Sequence, residues 1–226
     1  MKNFLYIAFF FLLNITFAFA QDSTKTPAAL ESDPVPLYEP PIVDNIEEYE
    51  IYKDKSEVRW VIKTLRGNQG GIIQLRSGRV FLKDGKLFTA IFNIDMTTVQ
   101  INSMPPGILN MQALNMIRSK DFFDIYAYQS SILEIASTKQ ISPTRFEAEG
   151  YLTIKGVKKP VSFNIDCETH DGIFEGTARD VPVNRDSYSI ANSRVSISPD
   201  LEESVNDLLE PQFLISVYIA AQEKKK

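Results

Sequence analysis

One cysteine and one histidine occur among the 226 residues, and each scarcity removes a class of chemistry. A single His and a single Cys can build neither a multi-histidine metal site nor a thiolate cluster. One Cys also makes no intramolecular disulfide, so the fold must stand on its core alone. Ser, Asp and Glu are plentiful, but none falls in a nucleophile-elbow or lysine-base pattern, and no glycine-rich loop is arranged to cradle phosphate. Positive charge is short as well. Twenty-four Lys and Arg against 29 Asp and Glu leave a net charge of -5, which argues against nucleic acid as a partner. His170 sits in Glu168-Thr169-His170-Asp171-Gly172, a turn between strands, and reads as a surface residue. No metal, cofactor or catalytic constellation is expected, and the chain does not read as an enzyme.

At the amino end, Lys2 is followed by an apolar run from Phe4 to Leu13 and by Ala18-Phe19-Ala20. That is the charged, apolar and small-residue order of a secretory signal. Residues 1–20 are therefore expected to be a cleaved signal peptide, with the mature chain in the periplasm or another extracytoplasmic space. An acylated cysteine at the new terminus is excluded, since the lone cysteine is Cys167. Residues 21–45 carry Pro27, Pro34, Pro36, Pro40 and Pro41, and no Lys or Arg lies between Lys25 and Lys53. The composition predicts an extended, acidic, disordered spacer. A globular domain follows over 46–222, with a basic tail at 223–226.

Within that domain, strand signals dominate. Val58 to Ile62, Ile72 to Leu75, Gly78 to Leu82, Leu87 to Met96, Ser131 to Ala136, Phe146 to Ile154, Val161 to Cys167, Ile173 to Ala178, Arg194 to Ile197 and Phe213 to Ala220 are short, β-branched or aromatic, and bounded by turn formers. Asp84-Gly85 is a hairpin turn. Ile108 to Ile117 spaces Met111, Leu114 and Ile117 as a helix does, and Ser198-Pro199 caps a second helical segment through Leu208. Many strands and one or two short helices predict an all-β fold, an antiparallel barrel or sandwich, with closure the usual way to remove sheet edges.

The densest information lies in Gly150 to Val161, GYLTIKGVKKPV. Phe146, Ala148, Gly150, Leu152 and Ile154 alternate with polar residues, Lys155-Gly156 breaks the run, and Val161, Phe163, Ile165 and Cys167 form a second apolar face. The spacing predicts a hairpin turning on Gly156, with Cys167 as a small buried hydrophobe. This stretch resembles the G-x-L-T-I-K-G-V-x-K-P-V segment of the YceI-like family. Ile117 to Asp124, IRSKDFFD, is similar to that family's L-R/K-S-x-D-F-F-D element, and Val183 to Ile190, VNRDSYSI, to its N-R-S-D-Y-G-I strand entry. A fourth, looser match is Asp95-Met96-Thr97-Thr98. Gln129 and Ser189 depart from the pattern, as does the connection from Val99 to Asn115. The resemblance runs from about Ile46 to Gln222 and implies a lipocalin-like barrel of about eight strands that binds polyisoprenoid or lipid in the bacterial envelope.

Residues alone leave the interior open between two states. Phe92, Ile94 and Met96 share one face, and Leu152, Ile154, Phe163, Ile165 and Phe174 can line the same interior. Fifteen Phe and five Met suit adaptable walls around an aliphatic ligand, yet the same side chains can simply fill the barrel. The resemblance tips this toward a cavity holding a polyisoprenoid, an isoprenoid quinone or a fatty lipid, and it also implies a homodimer. Arg118 and Arg185 flank the resembling motifs and are candidate donors to a polar head, or else partners of Asp121, Asp124 or Asp186. Phe122-Phe123 are either a lid over a ligand tail or a plug. The competing expectation is a structural envelope protein with a filled barrel, whose acidic arm docks a partner.

Overall fold

The computed structural model describes residues 44–64, 67–190 and 209–225. The expected signal segment, the spacer up to residue 43, the strand over Arg194 to Ile197 and the second helix lie outside the described residues. The rest is an antiparallel barrel with one helix. Its strands are β1 (Ile46–Ile51), β2 (Glu57–Thr64), β3 (Gly67–Lys83), β4 (Lys86–Asp95), β5 (Ser130–Gln140), β6 (Arg145–Ile154), β7 (Val157–His170), β8 (Ile173–Asn184) and β9 (Leu209–Glu223), and α1 (Ile108–Arg118) stands between β4 and β5.

Nine strands make eight staves. β2 pairs with β3 from Glu57↔Gln74 to Thr64↔Gly67, and β1 pairs with the other half of the same long strand, from Ile46↔Lys83 to Glu50↔Arg79. Both also meet β9, β1 at Ile51↔Ala221 and β2 at Glu57↔Tyr218. β1 and β2 are thus one stave broken by the 3₁₀ turn Lys53–Lys55. Buried Ser56 holds the break: its hydroxyl donates to the Ala220 carbonyl at 3.2 Å and accepts from the Ala220 N–H at 3.0 Å. The first half-stave was not among the strands expected from sequence, because IEEYEI places three acids among its apolar residues.

β3 also differs from expectation. Two short strands were anticipated around Arg76-Ser77, and the structure has a single strand of 17 residues. Its register on β4 slips between Leu75↔Ile94 and Ser77↔Asn93, so the break in alternation is a bulge within one strand. Arg76 is turned onto Asp95 by it, with a guanidinium N to carboxylate distance of 3.1 Å.

The expected hairpins form. Asp84-Gly85, Lys155-Gly156 and Asp171-Gly172 each hold two successive residues at positive φ, between 50° and 74°, the two-residue turn that matches strand twist. Inward residues alternate along each strand and meet in one cluster that includes Tyr49, Trp60, Val80, Phe92, Ile135, Phe146, Ile165, Phe174 and Ile219. The barrel has two unlike ends. The turn end carries the β3–β4, β5–β6 and β7–β8 turns. The connection end carries the long β4–β5 connection with α1, the Lys155-Gly156 turn and the chain leaving β8.

Candidate ligand-binding site

The structure brings the expected wall residues together. Phe92, Ile94, Met96, Leu152, Ile154, Ile165 and Phe174 are all buried and belong to the interior cluster. Phe163 is the exception. It faces inward, opposite Ala148 on β6, but is only half-buried. Val181, Tyr188 and Phe213 are interior residues that sequence reasoning did not assign to the wall. The strand expected to end at Ala178 continues to Asn184 through a register shift at Arg179-Asp180, and that irregularity hid Val181 and Val183.

The connection end is sealed from within. After β4 the chain makes the 3₁₀ turn Met96–Thr98, capped by the Asp95 carboxylate, which accepts from the Thr97 N–H at 3.1 Å. It then runs along the edge of β3, with Gln100 N–H donating to Ile72 O at 3.0 Å and Asn102 N–H to Gly70 O at 2.9 Å. The approach is so close that a Cβ on Gly71 would stand 1.7 Å from the Gln100 carbonyl oxygen. Asn110 ties α1 to this run by donating to the Ile101 and Met104 carbonyls, both at 3.1 Å. α1 buries Ile117, and beyond it the chain turns back and buries Phe122 and Phe123. The two phenylalanine rings meet edge to face at 4.8 Å, and Phe123 meets Phe213 in the same way at 6.2 Å. Both rings are thus packed into the interior at this end.

The two arginines stand at this end in different settings. Arg118 is half-buried; its Nη2 lies 3.5 Å from the Val99 carbonyl, and its buried Nε has no hydrogen-bond partner among the described residues. Among those residues it forms no ion pair with Asp121, Asp124 or Asp186. Arg185 is 0% exposed. Burial lowers the pKa of its guanidinium, with the neighbouring Asp186 charge working the other way. Its backbone fixes the corner, the N–H donating to Pro211 O at 2.9 Å and the carbonyl accepting from Tyr188 and Ile190. Tyr188 OH reaches the Leu152 carbonyl at 3.3 Å. Lys155 Nζ, from the β6–β7 turn, donates to the Lys120 and Ser189 carbonyls at 3.0 and 3.1 Å, joining the two connections.

The turn end has a depression of about 380 Å3 whose floor is made by Leu82, Leu87, Phe146 and Phe174, all nearly fully buried. Cys167 lies in the same floor, and burial pushes its thiol up to about 12, with Asp166 and Glu168 adding to the effect. His170 is at the rim, exposed, 3.0 Å from Glu168, whose hydrogen bond raises its pKa. No group of His, Cys, Asp and Glu fit to hold a metal ion occurs among the described residues. A further cavity of about 410 Å3 opens in the wall between β7 and β8, with Phe163 and Val181 among its lining.

Compared with known proteins, residues 49–208 match the model of the YceI-like domain. No curated protein matches the sequence. Among solved structures, BcnA of Burkholderia cenocepacia superposes with a TM-score of 0.56 at 15% identity, over 76% of this chain and 99% of that one. A YceI protein of Campylobacter jejuni gives 0.45 at 13% identity, over 63% of this chain and 75% of that one.

Proposed function

Because this chain belongs to the YceI-like family, we propose that it is an exported carrier that holds the apolar chain of an isoprenoid or fatty lipid inside its barrel. The observation that supports this reading is the interior itself. From Phe174 near the turn end to Phe123 at the other, the inward side chains are apolar and rich in Ile, Phe and Val, while the guanidinium groups of Arg118 and Arg185 stand at the connection end. Each methylene withdrawn from water contributes about 0.8 kcal/mol, so a long tail binds without directional contacts. A polyisoprenoid, a quinone tail and a fatty acyl chain are all served by such walls, and Arg118, whose Nε has no partner among the described residues, suits an anionic or quinone head. Export rests on the signal pattern of residues 1–20. The chemistry is binding, with no catalytic role assigned to any residue.

A second reading has its own support. The interior side chains already touch one another, as the Phe122, Phe123 and Phe213 rings do, which suits a filled barrel that serves as an envelope scaffold or docks a partner. One titration separates the two. Binding of cis-parinaric acid, a fatty acid that fluoresces in apolar surroundings, is followed in the parent protein and in Phe92→Gln. The carrier reading expects saturable binding, displaced by a polyisoprenol and lost in the variant. Absence of uptake by the parent, with Phe92→Gln merely unstable, leaves the scaffold reading.

A further inference from the structure

The wall of the barrel is not paired along its whole length. β7 pairs with β6 from Arg145↔Asp166 to Ile154↔Val157, so that face of the strand is complete. On its other side, β7 meets β8 only from Asp166↔Thr177 to His170↔Ile173. Among the described residues, no strand pairs with Val157 to Ile165 on the β8 side. The cause is local. At Arg179-Asp180 the register of β8 on β9 shifts, Asp180 takes a φ of 52°, and its N–H is held by Ser216 Oγ at 3.0 Å. From there β8 follows β9 through Val181 to Asn184 and leaves β7 behind.

The resulting gap is the cavity of about 410 Å3, within the roughly 300–1,000 Å3 range of small-molecule sites. Apolar interior reaches the surface in it. Phe163 faces inward but is half-buried, and Val181 stands across from it, whereas Ile165, two residues further along β7, is 4% exposed. An unpaired strand edge invites another strand, yet this edge carries Lys158, Lys159 and Pro160, and the facing strand carries Pro182. Charge and missing N–H groups are devices that block strand addition, so the gap is built to stay open rather than to take a β-strand partner. The other two routes inward are closed by buried side chains: Phe122 and Phe123 at the connection end, Leu82, Leu87, Phe146 and Phe174 at the turn end.

We propose that the gap between β7 and β8 is a side entrance through which the apolar chain of the ligand passes into the barrel, with Phe163 as the side chain it must displace. The inference rests on the carrier reading. At the margin of the gap, Asp166 lies 3.8 Å from both Arg145 and Arg179; these pairs are exposed and weak, so they do not lock the two strands together.

Three exposed positions locate the route. Asn164→Cys at the gap, Thr144→Cys at the turn end and Leu109→Cys on α1 are each labelled on the folded protein with a bulky maleimide, Cys167 being buried and slow to react. Stopped-flow uptake and release of cis-parinaric acid are then measured beside the equilibrium constant. The label at Asn164→Cys slows uptake and release together by about tenfold or more and leaves the equilibrium constant nearly unchanged, because an entrance alters passage in both directions. The labels at the other two positions leave both rates as they were. Slowing by the Thr144→Cys or Leu109→Cys label instead, or unchanged rates with Asn164→Cys labelled, overturns the side entrance and leaves the carrier standing. A parent protein that takes up no probe ends both.

Discussion

The two ends of the barrel solve the same problem, returning the chain antiparallel, with different means: tight turns at one, and at the other a tight turn beside a long, packed connection. At the turn end, Asp84-Gly85 and Asp171-Gly172 do it with two residues in a left-handed conformation. A Cβ on Gly85 would meet nothing within 4 Å. At the connection end, the chain between β4 and β5 builds α1, threads past Gly71 and returns to bury two aromatic rings in the interior. The difference shows where this molecule places its options. Local backbone geometry settles the tight turns, Lys155-Gly156 at the connection end among them, whereas long-range packing settles the β4–β5 connection, so substitutions there should be felt through the whole core.

Phe122→Ala should have the largest effect, because it removes a ring that is 2% exposed and packed edge to face on Phe123. A loss of about 3–5 kcal/mol is expected in urea unfolding. A loss below about 1 kcal/mol would mean this ring packing is dispensable and this end effectively open. Next comes Gly71→Ala, whose methyl group collides with the Gln100 carbonyl and forces the connection off β3; overpacking of this kind costs about 1–3 kcal/mol.

A matched pair of turn variants sharpens the contrast between the ends. Gly85→Ala and Gly156→Ala both place an L-residue at a φ near 70°, a penalty of about 1–2 kcal/mol each. Gly156→Ala should lose more, since its Cβ would also stand 3.1 Å from the Tyr128 ring. Equal midpoints for the two would show that Tyr128 gives way freely.

The smallest effect is electrostatic. Burial works against the Asp95 charge, but hydrogen bonds from Thr97 and Arg76 outweigh it and hold the carboxyl below its ordinary range. A lowered folded-state pKa adds stability above the ordinary value, and that stability is lost as the pH falls through the lowered one. Asp95→Asn is therefore expected to cost about 0.5–2 kcal/mol near neutrality. The cost should fade in acid, below about pH 4, as followed by chemical denaturation across pH.

Much of this architecture was legible in sequence. Period-2 alternation in Phe146 to Ile154 and the Lys155-Gly156 break mark a hairpin, and Ile108 to Ile117 marks α1 to within a residue. Irregularity is what the alternation does not reveal: the bulges at Arg76 and at Arg179-Asp180, and the half-stave from Ile46 to Ile51. The two bulges interrupt alternation in one strand for a reason that lies in its neighbour, the Asp95 carboxylate that receives Arg76 and the Ser216 hydroxyl that holds Asp180, and the half-stave is hidden by its own three acids. The wall residues were readable because facing inward is a local consequence of the pleat. Phe163 was read as wall and is half-open, because exposure there depends on where β8 goes. The packing of Phe122 and Phe123 is not legible locally for the same reason, since the Phe213 ring that Phe123 meets is distant in sequence.

Native mass spectrometry of the protein purified from its own host tests the central claim most directly. The carrier account predicts the polypeptide together with a non-covalent adduct, released on activation and carrying the mass of a long-chain isoprenoid or fatty lipid. The bare polypeptide, still bare after incubation with a polyisoprenol and a long-chain fatty acid, would contradict it.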